Sequence, residues 1–186
     1  MLSEDQIILC AAQLSDKFGF ENLSLKMLAE ELGIKSPSLY NHVKNLDDLK
    51  YKLMIFGWKE MEQTIIHAAV GVSGVDALRK MGEAFFEYAT SHKGVFNAML
   101  WYNRYQNGSE GSTFEATNGI FEVFFKITSS LGISEENANH LVRTIRSFLE
   151  GFSLLVNNNA FGHQISIKES FDISMTIILE GLKSLK

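Results

Sequence analysis

The chain has 186 residues, of which 46% are hydrophobic, and a formal net charge of −5. No run reaches the roughly 18 to 20 uncharged apolar residues of a membrane span, and the acidic N-terminus lacks the basic and apolar regions of a secretory signal, so we expect a cytoplasmic protein. The single cysteine, Cys10, excludes an internal disulfide bond and a cysteine-based zinc site.

A single proline and apolar residues spaced three and four apart predict an all-α protein. The predicted helices span residues 4–18, 25–32, 37–43, 46–69, 75–91, 95–104, 112–131, 135–160 and 167–185. Residues with N-cap chemistry precede five of them, namely Ser24, Ser36, Asn45, Ser134 and Ser166. Two segments rich in glycine and polar residues, 70–74 and 107–112, are predicted as a loop and a linker.

The second and third predicted helices form a candidate helix-turn-helix, because two short helices joined by a turn containing Gly33 are typical of that motif. Its small core is expected to consist of Leu28, Ala29, Leu32, Ile34 and Leu39. In such motifs the second helix enters the major groove of DNA. The sequence therefore predicts a DNA-binding domain at 1–48 and a larger helical domain at 49–186.

Charge distribution supports this assignment better than net charge does. Binding to phosphates needs lysine and arginine, so a net charge of −5 by itself argues against binding to nucleic acid. Between Gly33 and Leu46, however, there is no carboxylate, and five lysines lie between Asn22 and Lys52. A local basic surface can therefore exist on an acidic protein.

The leading turn of the third helix is expected to approach DNA, because free backbone N–H groups at a helix N-terminus favour a phosphate. Within it Ser38 is the better candidate for contact with a base edge. The residues suited to phosphates are Lys26, Tyr40, His42 and Lys44. The candidate DNA-binding residues are Lys26, Lys35, Ser36, Pro37, Ser38, Tyr40, Asn41, His42 and Lys44.

This segment resembles the DNA-binding domain of the TetR family, over about the first 50 residues. The residues that carry the resemblance are Leu28-Ala29, Leu32-Gly33-Ile34, Pro37-Ser38-Leu39-Tyr40 and His42-Val43, preceded by Ala11-Ala12, Leu14, Gly19 and Leu23-Ser24. The resemblance implies a homodimeric repressor that a small-molecule ligand releases from operator DNA.

Two features depart from that family pattern. Many relatives carry lysine where this chain has Leu46, so a phosphate contact or a helix-end cap is absent there unless Lys44 or Lys50 substitutes. The basic N-terminal arm is missing as well. The missing arm, the missing arginines and the acidic net charge together predict a modest and strongly salt-dependent affinity for DNA.

Aromatic stripes in the larger domain suggest a chamber for an apolar or aromatic effector. His92, Asn118 and Thr128 fall within these stripes, and an unpaired polar group there costs about 1–3 kcal/mol, so a ligand is one possible partner. The candidate ligand-binding residues are Met81, Phe85, Tyr88, His92, Met99, Trp101, Tyr102, Asn118, Phe121, Phe125, Phe148 and Phe152. The alternative that these stripes are plain core stays open.

The last two helices are predicted to form the dimer interface. Each carries an inner apolar stripe and a second face turned away from it, and a helix that is apolar on two sides needs two partners. The residues of this second face are Ser147, Gly151, Leu154, Ile173, Ile177 and Gly181. Paired with their symmetry mates, the two helices would make a four-helix interface.

Three alternatives remain. A DNA-binding adaptor would use its body for protein contacts only. A small helical enzyme is less favoured, because no nucleophile elbow, phosphate loop, metal pattern or cofactor turn is present, and no cofactor is expected. A metal site at His92 and His163 lacks a His-x3-His or carboxylate partner, so none is expected.

The segments around Glu150-Gly151 and Ala160-Phe161-Gly162 resemble, more distantly, a TetR ligand-domain subgroup marked by tryptophan and His-Gly.

Overall fold

The computed structural model describes residues 2–101 and 112–185, and for 112–118 it describes the helix but not the side chains. All regular elements in this part of the chain are helical, as the sequence predicts. The α-helices are α1 (Glu4–Phe18), α2 (Leu25–Glu31), α3 (Ser36–Leu39), α4 (Leu46–Ala68), α5 (Gly74–Ser91), α6 (Lys93–Leu100), α7 (Ser112–Ser129), α8 (Glu135–Asn157) and α9 (Ile167–Glu180). Short 3₁₀ turns cover Phe20–Asn22 and Gly181–Leu185.

Helix starts follow local capping chemistry. The side chains of Ser24, Ser134 and Ser166 each accept a hydrogen bond from the backbone N–H three residues later, and Asn45 does the same for Asp48 at 2.8 Å. These four predicted N-caps are confirmed, since each satisfies a backbone donor that the helix itself leaves open.

Two details of the N-terminal helices differ from the prediction. Ser36 is the first residue of α3, and the N-cap residue is Lys35, which makes no side-chain capping bond. Helix α3 also ends at Leu39 and not at Val43, because the Leu39 carbonyl accepts from both His42 N and Val43 N, at 2.9 and 3.0 Å, and the chain tightens into a turn.

The chain divides into two compact units. One comprises Met1–Glu60 and Ser91–Thr117, and the other comprises Met61–Thr90 and Asn118–Lys186. The first unit therefore contains α6 as well as the N-terminal helices. A boundary after residue 48 stays a prediction about how functions divide, because these units are defined by packing.

The core of the first unit is built around α1, whose Ile7, Ala11 and Leu14 are buried. Helix α6 packs closely on α1 at Gly94: a Cβ there would lie 2.0 Å from the carbonyl oxygen of Ser15. Only glycine permits two helix backbones to approach this closely without a shift.

In the second unit α5 contributes Met81 and Phe85 to the core, and both are fully buried. Gly82 lets α9 approach, because a Cβ on Gly82 would lie 2.6 Å from the terminal methyl of Met175. Across the described residues we find no helix with the length and apolar character that a membrane span requires.

Candidate nucleic-acid interface and helical body

The helix-turn-helix is held by its own short core and by a tight turn. Leu28, Ala29 and Leu39 are buried, whereas Leu32 and Ile34, also predicted for this core, are only half-buried. Gly33 has a φ of +64°, a left-handed conformation that favours glycine. The N–H of Ile34 then bonds to the Ala29 carbonyl at 3.0 Å, which closes α2 and aims the chain into α3.

The predicted DNA-binding side chains are accessible. Those of α3 and of the flanking positions are exposed, and His42 is half-buried. Tyr40 is 58% exposed, although a tyrosine ring is usually at least partly covered. An accessible row of short hydroxyl side chains followed by a tyrosine and a lysine can approach a nucleic-acid backbone without rearrangement.

One of the predicted phosphate-binding lysines has an acidic neighbour. Lys26 Nζ lies 3.9 Å from Glu30 Oε1, with both side chains largely exposed. Exposed pairs of this kind contribute only about 0–1 kcal/mol, so Lys26 can exchange Glu30 for a phosphate at little cost.

Lys50, one of the two lysines considered in place of the lysine missing at Leu46, lies against aromatic rings of its own unit. Its Nζ lies over the Phe20 ring, 4.7 Å from the centroid, and 5.6 Å from the centroid of Trp101. Trp101 in turn packs edge-on against Phe20 with ring centroids 5.7 Å apart. Lys50 and Trp101 thus join α4, the first 3₁₀ turn and the end of α6, which gives Trp101 a structural role within the first unit that the sequence did not predict.

His92 is likewise placed differently from the prediction. It follows the end of α5, its side chain is 48% exposed, and its Nδ1 lies 2.9 Å from Asp16 Oδ2. The other oxygen of Asp16 accepts from Gly94 N and Val95 N at 2.9 and 3.0 Å, and so caps α6. The expectation that His92 continues the aromatic stripe of α5 is wrong.

Asp16 was missed by the sequence reasoning, although one signal was available. A carboxylate in the last turn of α1 faces the negative end of the helix dipole, which is unfavourable without another partner. Its position therefore indicated a tertiary contact, which the N-terminus of α6 supplies.

Most of the other predicted ligand-binding residues are packed. Met81, Phe85 and Met99 are fully buried, Phe121 is nearly so, and Tyr88, Phe125, Phe148 and Phe152 are half-buried. Thr128 donates to the Phe124 carbonyl at 2.7 Å, so this buried hydroxyl needs no ligand. Tyr102 and the side chain of Asn118 lie outside the described residues, as do residues 107–111 of the predicted linker.

The second unit contains an aromatic cluster that the sequence predicted only in part. Phe86 stacks on Phe171 with ring centroids 4.4 Å apart, and Phe152 contacts Phe161 at 5.0 Å. Phe148 joins both sides of this group, 5.3 Å from Phe152 and 5.5 Å from Phe171. Phe161 is 39% exposed, so the cluster reaches the surface at the segment after α8.

The predicted dimer face is open in the single chain. Ile173 and Ile177 on α9 are 54% and 67% exposed, and Leu154 on α8 is 38% exposed. A Cβ placed on Gly151 would meet no heavy atom within 4 Å. Ser147 and Gly181 are accessible as well, so all six residues of this face are at least partly uncovered.

Glu150 belongs to an ion pair on α8. Its Oε1 accepts from Arg146 Nε at 2.9 Å, and the guanidinium of Arg146 lies 4.3 Å from the centroid of the Phe121 ring. Burial raises the pKa of the Glu150 carboxyl above its ordinary value, and the charge of Arg146 opposes that rise. The Glu150 carboxylate therefore has a structural role, as the partner of Arg146 on the same helix.

Comparisons with known proteins agree with this architecture. A family model described as the tetracyclin repressor-like C-terminal domain matches residues 78–178. An HTH-type transcriptional regulator of Mycobacterium tuberculosis is 32% identical over 155 residues, which cover 83% of this chain and 70% of that protein. The HTH-type regulator YobS of Bacillus subtilis is 27% identical over 182 residues, covering 97% of this chain and 93% of YobS.

Solved structures extend the likeness to the whole fold. A TetR protein of Acinetobacter baumannii in complex with minocycline superposes with a TM-score of 0.76 at 18% identity, over 100% of this chain and 98% of that one. A TetR transcriptional regulator of Streptomyces coelicolor gives a TM-score of 0.78 at 17% identity, over 100% of this chain and 99% of that one. At these identities the two structures establish the fold alone.

Proposed function

The chain belongs to the TetR family of helix-turn-helix transcriptional regulators, and we propose that it is a dimeric repressor that a small effector molecule releases from operator DNA. The observation that supports DNA binding most directly is the accessible α3, with Ser38, Tyr40 and Lys44 in succession on and just after it. The complete set of proposed DNA contacts is the one that the sequence predicts, from Lys26 to Lys44.

The proposal assigns different roles to neighbouring side chains. Ser38 reads base edges, because it lies in the leading turn of the helix that enters the major groove. Tyr40 and Lys44 contact phosphates, which position the protein without reading sequence. Because Asn41 and His42 lie between them, they complete the same surface.

We expect Tyr40→Ala and Lys44→Ala each to weaken binding to an operator duplex by about tenfold, since each removes a phosphate contact. Lys44→Ala should also reduce the slope of log K against log salt concentration by about 1.8, because the dimer loses one phosphate contact, worth about 0.9, in each protomer. The operator is first selected from random duplexes with the wild-type protein, and affinities are measured by fluorescence anisotropy over a salt series. Lys183→Ala, a change at an exposed lysine near the other end of the chain, is the matched control.

Unchanged affinity in both variants, with thermal unfolding unaltered, would contradict the assignment of this surface. A wild-type protein that selects no duplex would contradict operator binding itself.

The proposed dimer uses the outer faces of α8 and α9. When a second copy covers apolar side chains that are exposed in the single chain, the dimer is stabilised by about 25 cal/mol per Å² of apolar surface removed from water. The small residues Ser147 and Gly151 would let the partner helices approach closely, and members of this family typically dimerise. The proposed partners are therefore a second copy of this chain and double-stranded DNA.

The proposed effector is small and largely apolar or aromatic. The support is the aromatic cluster in the second unit together with the family to which the chain belongs, since the structural relative from Acinetobacter baumannii is described in complex with minocycline. Of the residues predicted from sequence, Phe148 and Phe152 belong to this cluster. Phe86, Phe161 and Phe171 are added to the proposal on the basis of the structure.

A thermal-shift screen separates this sensor from an adaptor that binds DNA without an effector. A sensor should be stabilised by RT ln(1 + [L]/Kd), which is about 2.7 kcal/mol at a hundredfold excess over Kd. We expect at least one polycyclic aromatic compound to raise the melting temperature of the wild-type protein and to lower its affinity for the selected operator. A screen in which no compound does either would favour the adaptor.

A further inference from the structure

Lys52 makes contacts that the DNA-binding surface described above does not use. From α4 its Nζ donates to the backbone carbonyl of His42 at 2.8 Å and to Glu4 Oε2 at 2.6 Å, and it lies 4.0 Å from Asp48 Oδ2. The Lys52 side chain is only 25% exposed. A lysine that is largely covered and bonded on two sides is not available to a phosphate.

The segment that Lys52 holds is the exit of the recognition helix. Because α3 has regular helical structure only over Ser36–Leu39, the positions that carry Tyr40 and His42 lie in the turn beyond it. Lys52 therefore fixes a part of the backbone that the helix alone does not.

The other end of this turn is fixed by the start of α4. Asp48 Oδ2 accepts from the backbone N–H of Lys44 at 2.8 Å, and Asn45 Oδ1 accepts from Asp48 N at 2.8 Å. Residues 42–45 are thus tied to α4 at His42, at Lys44 and at Asn45. Charge-assisted hydrogen bonds such as those of Lys52 are the stronger ones in such a network.

Glu4 explains how Lys52 is kept at the His42 carbonyl. It comes from the first turn of α1, and its carboxylate compensates the charge of Lys52. Lys52 thus reaches the backbone of the turn from within the fold.

We infer that Lys52 is a positioning residue for operator recognition, which fixes the exit of the recognition helix through the His42 carbonyl and is held there by Glu4. Lys52 acts on DNA only through the backbone of His42. The inference rests on the proposed operator binding.

A positioning residue and a phosphate contact have different signatures. Loss of a phosphate contact weakens binding to all sequences alike and lowers the salt slope by about 0.9. Loss of a positioning residue removes no phosphate-binding cation. It lets the turn that carries Tyr40 and His42 shift, and because phosphate contacts set the register of α3 on DNA, Ser38 no longer meets its base edge and the ratio of operator to non-operator affinity falls.

The test compares Lys52→Met, which keeps the apolar stem but removes the charge and the donor, with Lys52→Arg, which keeps both. Affinities for the selected operator and for a scrambled duplex of equal length are measured over a salt series. We expect Lys52→Met to lower the affinity ratio about tenfold with the salt slope unchanged, because it removes hydrogen bonds to a charged group. Lys52→Arg should restore most of the ratio.

Lys35→Met is the matched control, since Lys35 is an exposed lysine at the N-cap of α3 and one of the candidate DNA contacts, and a cation there suits a phosphate. It should lower the salt slope of the dimer by about 1.8, or about 0.9 for each protomer, and leave the ratio unchanged. The same result for Lys52→Met would overturn the inference, and so would an unchanged ratio. If Lys52→Met does not unfold cooperatively, Glu4→Gln is tested in its place. We expect Glu4→Gln to lower the affinity ratio by a smaller factor, and an unchanged ratio would contradict the inference.

If the wild-type protein binds no operator, that result contradicts the proposed function itself, whatever the variants show.

Discussion

Replacing Ile177 with glutamate is expected to convert the protein from a dimer to a monomer. Ile177 is 67% exposed in the single chain and lies one turn from Ile173, which is 54% exposed. In a two-fold dimer each substitution occurs twice, so two carboxylates would have to lose water at one interface. Burying an unpaired charge is so costly that the interface should not form at micromolar concentration.

Light scattering measures this result directly, and the matched control is Ile165→Glu. Ile165 is also exposed, at 61%, but lies in the segment before α9 and outside the proposed face. We expect the control to stay dimeric and Ile177→Glu to give a monomeric mass with an intact helical spectrum. A dimeric mass for Ile177→Glu would remove α9 from the interface.

The monomer should also lose most of its operator affinity. A dimer of this class binds two half-sites, whereas a monomer contacts one and loses the advantage of simultaneous binding. Affinity for an isolated half-site should be unchanged, because Ile177 belongs to the unit that does not contain the helix-turn-helix.

Gly151→Leu gives an independent measure of the same interface. A Cβ at Gly151 meets nothing within 4 Å in the single chain, so one protomer can accept a larger side chain there. In the middle of α8, replacing glycine by a good helix former favours the helix by up to about 1 kcal/mol. We therefore expect a more stable monomer and a weaker dimer, a combination that a position away from the interface would not give.

The ends of most helices could be predicted because they depend on neighbouring residues. Ser24 and Ser134 cap the helices that follow them, and Gly19, with a φ of +90°, ends α1 where the sequence places the stop. The amphipathic stripes also predicted which side of α1 is buried. Local hydrogen bonds and the spacing of apolar residues are sufficient for these features.

Features set by distant contacts could not be predicted in the same way. The ends of α5 and α6 meet at His92, whose partner Asp16 is 76 residues earlier in the chain. The two lysines near the start of α4 have different partners. Lys50 lies over two aromatic rings, whereas Lys52 donates a hydrogen bond to the backbone carbonyl of His42. No periodicity distinguishes them, because both differences arise from how the N-terminal helices and α6 pack.

The dimer face could be predicted in part, because the sequence shows which residues need a partner but not what that partner is. A second apolar stripe on α9 predicts that Ile173 and Ile177 need a partner, and their exposure in the single chain agrees with that requirement.

The aromatic stripes of the larger domain could not be interpreted from the sequence alone. Met81 and Phe85 are fully buried by the chain itself, so the spacing of apolar residues does not distinguish a packed core from a ligand chamber.

Replacing Gly94 with alanine is expected to detach α6 from α1 and to destabilise the unit that contains the helix-turn-helix. The added Cβ would lie 2.0 Å from the carbonyl oxygen and 2.1 Å from the carbonyl carbon of Ser15. Both are backbone atoms, which cannot move aside without shifting α1. Overpacking of this kind costs about 1–3 kcal/mol, and occasionally more, so we expect a loss near the upper end of that range.

The contacts of Asp16 would be lost in the same shift. Its carboxylate accepts from Gly94 N and Val95 N at 2.9 and 3.0 Å, and displacement of α6 leaves these N-terminal donors without it. Asp16→Asn retains an acceptor oxygen but loses the negative charge at the helix N-terminus, which should cost about 0.3–1 kcal/mol. The two variants therefore separate the effect of close approach from that of capping.

Gly57→Ala is the matched control for steric crowding in the same unit. Its Cβ would lie 2.7 Å from Val95 Cγ1 and 2.8 Å from Met99 Cγ, which are side-chain and not backbone atoms, so the crowding is less severe than at Gly94. Urea unfolding should therefore rank the free energies of unfolding as wild type, then Gly57→Ala, then Gly94→Ala, with operator affinity falling in the same order. Equal stability of the two alanine variants would show that α6 is free to shift along α1, and the contact at Gly94 would then not hold the helix in place.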